Sequence, residues 1–264
     1  MPTLVCAYQA YEWHDTCLSH IIFKALIQRN CTKLGNQAMP EDSADNIALE
    51  AEAYFNRNKL DSGYQKLVDS YQFLERYIKN ENSQFLEIGC GDGKNVYTFT
   101  SKSNCQYHGI DLSKSAINEA KKTFPKHSFS VAGADEIPYE NACFDVIYLG
   151  FFLYLTPIER LTQIVQEVDR CLKDEGFVAI TDFGCLFPHT KDYQHMPSLK
   201  LQKYNFEAMF CGFPQYTLIE KRTDSGKEQF SNHHQWITTS VLQKNKNGFP
   251  HYHSEGSITD PYNN

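Results

Sequence analysis

Residues 85–94, FLEIGCGDGK, constrain the fold more than any other stretch of the chain. An apolar run enters a turn with glycine at 89, 91 and 93, and a helical pattern follows. Having no Cβ, these glycines let the backbone turn tightly and let a ligand come close to it. A strand, a glycine turn and a helix in that order put the turn at the carboxyl edge of an open α/β sheet, where such sheets bind ligands. A helix starting near Lys94 points its unpaired N–H groups toward that turn.

The spacing here is G-x-G-x-G, not the G-x-G-x-x-G of dinucleotide sites. Glu87 also precedes the turn within the strand. An acid there repels a pyrophosphate but suits a ligand carrying an ammonium and a sulfonium. Asp111 ends the next β-rich run, 24 residues after Glu87. An acid at that strand tip can accept both hydroxyls of a ribose; the plainer reading makes it a loop acid beside a helix cap, Ser113. In the acidic turn of 132–148, AGADEIPYENACFDVIY, Asp135 stands where an adenine amino group can be read, next to the N–H of Ala134. The competing reading is a surface turn.

β-rich runs recur at 85–89, 106–111, 128–132, 144–149, 177–182, 216–221 and 235–242. The first five alternate with helical patterns, as a doubly wound parallel sheet requires. The last two are joined by polar residues 222–234 without a helix, which predicts a hairpin and an antiparallel final strand. In the helix predicted over 157–173, Thr156 and Glu159 read as a capping box with Pro157 at the first position. Ile158, Leu161, Ile164, Val165, Val168 and Leu172 form its apolar face. Residues 47–80 also read as helical, with Tyr64, Leu67, Val68, Tyr71, Leu74 and Ile78 at spacings of three and four. The expected fold is α/β: a Rossmann-like, doubly wound sheet of about seven strands, the last antiparallel, with an N-terminal helical cap.

Residues 1–46 read as an extension open to disorder, with a short amphipathic stretch at 18–28 and a linker at 31–46; translation from Met39 would remove most of it. The domain itself spans 47–243, and polar residues 244–264 read as a disordered tail. The formal net charge of −7 argues against nucleic acid as a partner, since tracking many phosphates needs clustered Lys and Arg. Nine scattered cysteines with no C-x-x-C pair read as reduced thiols of a cytoplasmic protein rather than a zinc site. No metal is expected, and His251 and His253 in the tail are a weak pair. No apolar stretch is long enough to span a bilayer. The oligomeric state is not legible.

LEIGCGDG, GIDLSKSAI, ADEIPY, FDVIYLGFFLYL and RLTQIVQEVDRCLKDEGFVAI together resemble the class I S-adenosylmethionine-dependent methyltransferases, in the family's order and spacing. The small-molecule branch called the type 11 methyltransferase domain is the nearest likeness, over about residues 80–185. The resemblance implies S-adenosyl-L-methionine as co-substrate and a small-molecule acceptor. It implies that Glu87, Gly89 and Gly91 surround the methionine part, Asp111 and Leu112 the ribose, and Ala134 and Asp135 the adenine. Gly150 and the aromatic residues after it would floor the sulfonium. Many relatives carry Asp or Thr where Gly133 stands, which weakens the side-chain half of the adenine assignment.

Candidate bases come from 182–204, the insert after the fifth strand: His195 first, with Asp182 and Tyr193 beside it. The solvated-loop reading of these residues stays open. Asp182, Phe183, His195, Lys203 and Tyr204 loosely resemble a pattern in methyltransferases of bacterial surface polysaccharides, which implies a polar, sugar-like or other metabolite hydroxyl as acceptor. Two other functions remain: a non-catalytic S-adenosylmethionine-binding regulator, and a nicotinamide-dependent oxidoreductase on the same kind of sheet.

Overall fold

The structure, a computed structural model, describes residues 41–58, 71–224 and 236–245. The stretch 18–28, Tyr64, Leu67, Val68, His251 and His253 lie outside the described residues. The chain divides into two units, residues 1–41 and 42–264, and all the described residues but Glu41 belong to the second.

Seven strands form one sheet: β1 (Gln84–Ile88), β2 (Gln106–Asp111), β3 (Ser128–Val131), β4 (Phe144–Gly150), β5 (Leu172–Phe183), β8 (Tyr216–Asp224) and β9 (Ile237–Lys244). Their order is β3-β2-β1-β4-β5-β9-β8. The first five run parallel, and β9 lies antiparallel between β5 and β8. The expected seven-stranded sheet with an antiparallel last strand is therefore the observed one. Strand order reverses between β1 and β4, so the ends of these two strands open a crevice at the sheet's carboxyl edge.

Both faces of β1 and β4 are apolar because helices cover both sides. Leu86, Ile88, Ile147 and Leu149 belong to one core with Ile164, Val165 and Val168 of the helix Ile158–Cys171. Phe85, Val146 and Tyr148 belong to the other, with Ile117 of the helix Lys114–Thr123 and Val96 and Phe99 of the helix Val96–Thr100. With the N-terminal helix Glu41–Asn58 as α1, these are α2 (Val96–Thr100), α3 (Lys114–Thr123) and α4 (Ile158–Cys171).

Four sequence expectations change. α4 has no capping box: Pro157 is its N-cap residue, and the Thr156 hydroxyl instead donates to the Phe152 carbonyl, closing the preceding turn. Ile158, expected on the buried face, is 54% exposed. Of the helical stretch expected over 47–80, α1 (Glu41–Asn58) covers the first part, 59–70 lie outside the described residues, Tyr71 is α-helical, and Gln72–Tyr77 form a 3-10 turn. That turn buries Leu74, and Tyr71 and Ile78 flanking it are buried too, so this described end of the apolar stripe is buried as expected, with 3-10 rather than α geometry over its last residues. Finally, the insert after β5 carries a hairpin, β6 (His189–Asp192) with β7 (Lys200–Lys203). Its strands, HTKD and KLQK, lack the apolar alternation that announces a strand.

Candidate active site

A cavity of about 360 Å³ sits at the crevice, lined from three directions. The β1 and β2 ends contribute Glu87 to Asp92, Lys94, Asn95 and Asp111 to Ser113. The β4 end contributes Gly150 to Phe152, Tyr154 and Leu155. α1 contributes Ile47, Glu50, Ala51, Tyr54, Phe55 and Asn58.

The glycine turn is built by backbone geometry. Gly89, Gly91 and Gly93 all have positive φ, at 80°, 53° and 79°, a region costly for other residues. A Cβ on Gly89 would also stand 2.9 Å from the Gly150 carbonyl oxygen. The Gly89 and Cys90 N–H groups donate to the Ile110 carbonyl at 2.8 and 3.1 Å, so the turn is tied to β2.

Asp111 completes that tie. Its Oδ2 accepts the Gly91 N–H at 2.9 Å and its Oδ1 the Ser113 N–H at 2.8 Å. Ser113 caps α3, its side chain accepting from the Ala116 N–H. Burial raises the Asp111 pKa, while the two backbone N–H groups pull it down. Each carboxylate oxygen has two lone pairs, so both retain room for a hydroxyl donor, which fits the two hydroxyls of a ribose.

Glu87 is 1% exposed. The Asn95 amide donates to its Oε1 at 2.6 Å, and the Tyr107 hydroxyl donates to its Oε2. Burial pushes its pKa up to about 7 against those two bonds. A buried carboxylate poised in this way takes its charge when a cation arrives, so it fits an ammonium-bearing ligand. Asn95 and Tyr107 were not singled out in the sequence; Asn95, at the start of the helix after the turn, carried the only local signal.

Ala134 and Leu112 line the cavity. Asp135 does not: Arg160 of α4 holds its carboxylate, with Nε at 2.9 Å. The turn carrying Ala134 is fixed from α4, where Glu167 accepts the Ile137 N–H and Arg170 donates to the Ile137 and Tyr139 carbonyls.

Beyond Gly150, Phe151 lines the cavity at φ 53°, a strained value for a residue with a side chain. Asp182 holds this turn in place. It is 2% exposed and does not line the cavity; its carboxylate accepts the Tyr154 N–H at 3.2 Å and the Phe183 N–H at 2.7 Å. Burial pushes its pKa up to about 7. Asp182 thus stands behind the site, shaping the aromatic turn.

The other two base candidates are also kept from the cavity. His195 is exposed on the loop between β6 and β7, with its ring 5.3 Å from that of Tyr193. Tyr193 is buried and does not line the cavity; it stands behind Glu50, whose Oε1 accepts its hydroxyl at 2.7 Å, and against the ring of Tyr154, both of which do. The sequence reading did not single out Glu50, because residues 47–80 gave only an apolar stripe.

Among the described residues, no group of His, Cys, Asp and Glu is placed to hold a metal ion, and no helix is long and apolar enough to cross a membrane.

A family model described as "Methyltransferase domain" matches residues 85–176. The chain is 27% identical over 158 residues to a phosphoethanolamine N-methyltransferase of Plasmodium falciparum, covering 58% of each chain. It is 30% identical over 124 residues to a ubiquinone/menaquinone biosynthesis C-methyltransferase of Rickettsia akari, covering 43% of this chain and 49% of that one. The chain spans about half the length of the curated relatives it matches. Among solved structures, an S-adenosylmethionine-dependent methyltransferase of Methanosarcina mazei shares the fold at TM-score 0.55 and 18% identity, covering 66% of this chain and 97% of that one. So does the cyclase SpnF, at TM-score 0.54 and 15% identity, covering 67% of this chain and 81% of that one. The shared fold therefore spans more than one chemistry.

Proposed function

We propose, from the methyltransferase-domain match over residues 85–176 and the shared fold, that the chain is a class I methyltransferase that binds S-adenosyl-L-methionine and transfers its methyl group to a hydroxyl of a small acceptor. The single observation that carries this reading is the joined pair of acids at the sheet edge. Asp111 is fixed to the glycine turn by the Gly91 N–H, and Glu87 is buried beneath the same turn.

In this reading Asp111 takes the ribose hydroxyls, and Leu112 and Ala134 flank the adenine. Arg160 competes for Asp135, so the adenine contact there is to backbone. Glu87, with Asn95 and Tyr107, balances the ammonium of the methionine part, and Gly89 and Gly91 let that part lie against the chain. The bound co-substrate supplies a methyl on a positively charged sulfur, a group already activated for transfer, while a hydroxyl acceptor gains from a base that takes its proton. The protein's work is to hold the acceptor in line and exclude water. Gly150 and the aromatic turn 151–155, held by Asp182, floor that reacting centre.

Residues 47–243 are the working domain in this account, with α1 as its cap. The reading of a sugar-like acceptor draws on the loose likeness around Asp182 and Lys203, and the ring-rich cavity favours a less polar body. A silent binding protein remains the alternative, since intact cofactor contacts support binding and not turnover. The test is incubation of the purified chain with methyl-labelled S-adenosylmethionine and a small-molecule extract. A labelled product heavier than its precursor by one methylene supports transfer. Cofactor binding without any labelled product supports the binding protein.

A further inference from the structure

The cavity has a second buried carboxylate that the cofactor contacts leave without a role. Glu50 of α1 is 2% exposed and lines the cavity together with Tyr54 and Tyr154. Its Oε1 accepts from the Tyr193 hydroxyl at 2.7 Å and from Arg57 Nη2. Among the described residues, its Oε2 has one long contact, 3.5 Å to Arg57 Nη1. A carboxylate oxygen has about two acceptor sites, so Oε2 retains capacity for a donor inside the cavity. Tyr193 and Arg57 fix the carboxylate from behind.

Charge and shape narrow what that donor belongs to. The carboxylates lining the cavity are those of Glu50, Glu87, Asp92 and Asp111, against a single lysine, Lys94, so an anionic acceptor is disfavoured. Arg57 already balances Glu50, so a cationic amine gains little there. A neutral hydroxyl fits. Tyr54, Phe55, Phe151, Phe152 and Tyr154 supply ring surface in the cavity, and such surface favours a flat, apolar body.

We propose that Glu50 is a catalytic residue that binds and deprotonates the hydroxyl of a neutral phenolic acceptor. This rests on the methyltransferase reading above. The acceptor oxygen forms its bond to the methyl carbon as the carbon–sulfur bond breaks, and that bond's electron pair leaves with the sulfur. The hydroxyl proton passes to Glu50 and returns to water when the products leave. The products are an aryl methyl ether and S-adenosylhomocysteine. Tyr193 is a positioning residue, acting through Glu50.

The experiment assays the full chain with methyl-labelled S-adenosylmethionine and three probes: catechol, glucose and ethanolamine. Catechol should be labelled, and the other two should not. Glu50→Gln should lower kcat on catechol by roughly a hundredfold, with S-adenosylhomocysteine affinity within about twofold of the unaltered chain. Glu50→Asp keeps the charge beside Arg57 and guards against misfolding; it should lower kcat by at least about tenfold. Tyr193→Phe should lower kcat severalfold and leave KM unchanged. Preferred labelling of glucose or ethanolamine overturns the acceptor class. So does absence of label on catechol in protein that calorimetry shows binding S-adenosylmethionine. Normal catechol turnover in either folded Glu50 variant overturns the role of Glu50. Failure to bind S-adenosylmethionine overturns the methyltransferase reading itself, and this inference with it.

Discussion

Residues 87–113 supply one end of the cavity from two consecutive strand–turn units, whereas the other end draws on α1, the 151–155 turn and, behind them, the β6–β7 hairpin. At the first end the chemistry is local: the glycines that need positive φ, the acid before them and the acid at the next strand tip lie within one short stretch. At the second end, Glu50 meets Tyr193 across 143 residues. Local chemistry leaves a pattern in sequence; assembled chemistry does not. Under the proposed function the comparison also separates roles, with the first end taking S-adenosylmethionine and the second the acceptor.

The largest effect is expected at the first end. Asp111→Ala should weaken S-adenosylmethionine binding by about 1.5–3 kcal/mol, the range for hydrogen bonds to a charged group. A side chain at a strand tip can often be removed without harm to the fold. Asp111 is different, because it satisfies the N–H groups of Gly91 and Ser113. The thermal transition of the unliganded variant should therefore fall too. Calorimetry and a melting curve check both. A folded variant with unaltered affinity would place the ribose elsewhere.

Glu87 gives the next effect, through pH. Burial holds its pKa at about 7 in the unliganded protein, so below that pH the carboxyl is neutral. A ligand cation favours the ionised form, so binding releases a proton and strengthens as pH rises. Affinity should rise by about tenfold between pH 6 and pH 8. Unliganded stability runs the other way. Glu87 is raised above its unfolded value, so the stability gained from its proton is complete below the unfolded pKa and is lost as pH rises through about 7. Glu87→Gln should flatten both profiles. An affinity independent of pH in the unaltered chain would remove Glu87 from the ammonium site.

The smallest effect is expected from the residue first in line as a base. His195 is exposed and does not line the cavity. His195→Ala should leave turnover on a labelled acceptor within about twofold. A drop of the size expected for a lost general base, about a hundredfold, would bring the β6–β7 loop into the site and erase the contrast between the two ends.

The sheet was legible because its strands are apolar, short and separated by turns, with one strand–glycine–helix unit anchoring the register of the rest. The place of Asp111 at the cavity was legible because it is the last residue of its strand. The hairpin was not, because HTKD and KLQK have polar side chains and pair mainly through backbone. Asp182 was found, but its direction was not: only the fold shows its carboxylate turned to the N–H groups of Tyr154 and Phe183. Glu50 lay in a stretch read only as helical, ahead of the apolar stripe at 64–78, and helical periodicity says nothing of a buried acid. Its partner Tyr193 carries no mark in the sequence of the acid it meets 143 residues away.

Under the proposed function, the end built by residues 87–113 is a site for S-adenosylmethionine. Titration calorimetry of the purified chain at pH 8 tests it most directly, with S-adenosylmethionine, S-adenosylhomocysteine and NAD as ligands. The account predicts saturable one-to-one binding of both adenosyl ligands and no heat from NAD. Saturable NAD binding with no response to either adenosyl ligand would contradict it.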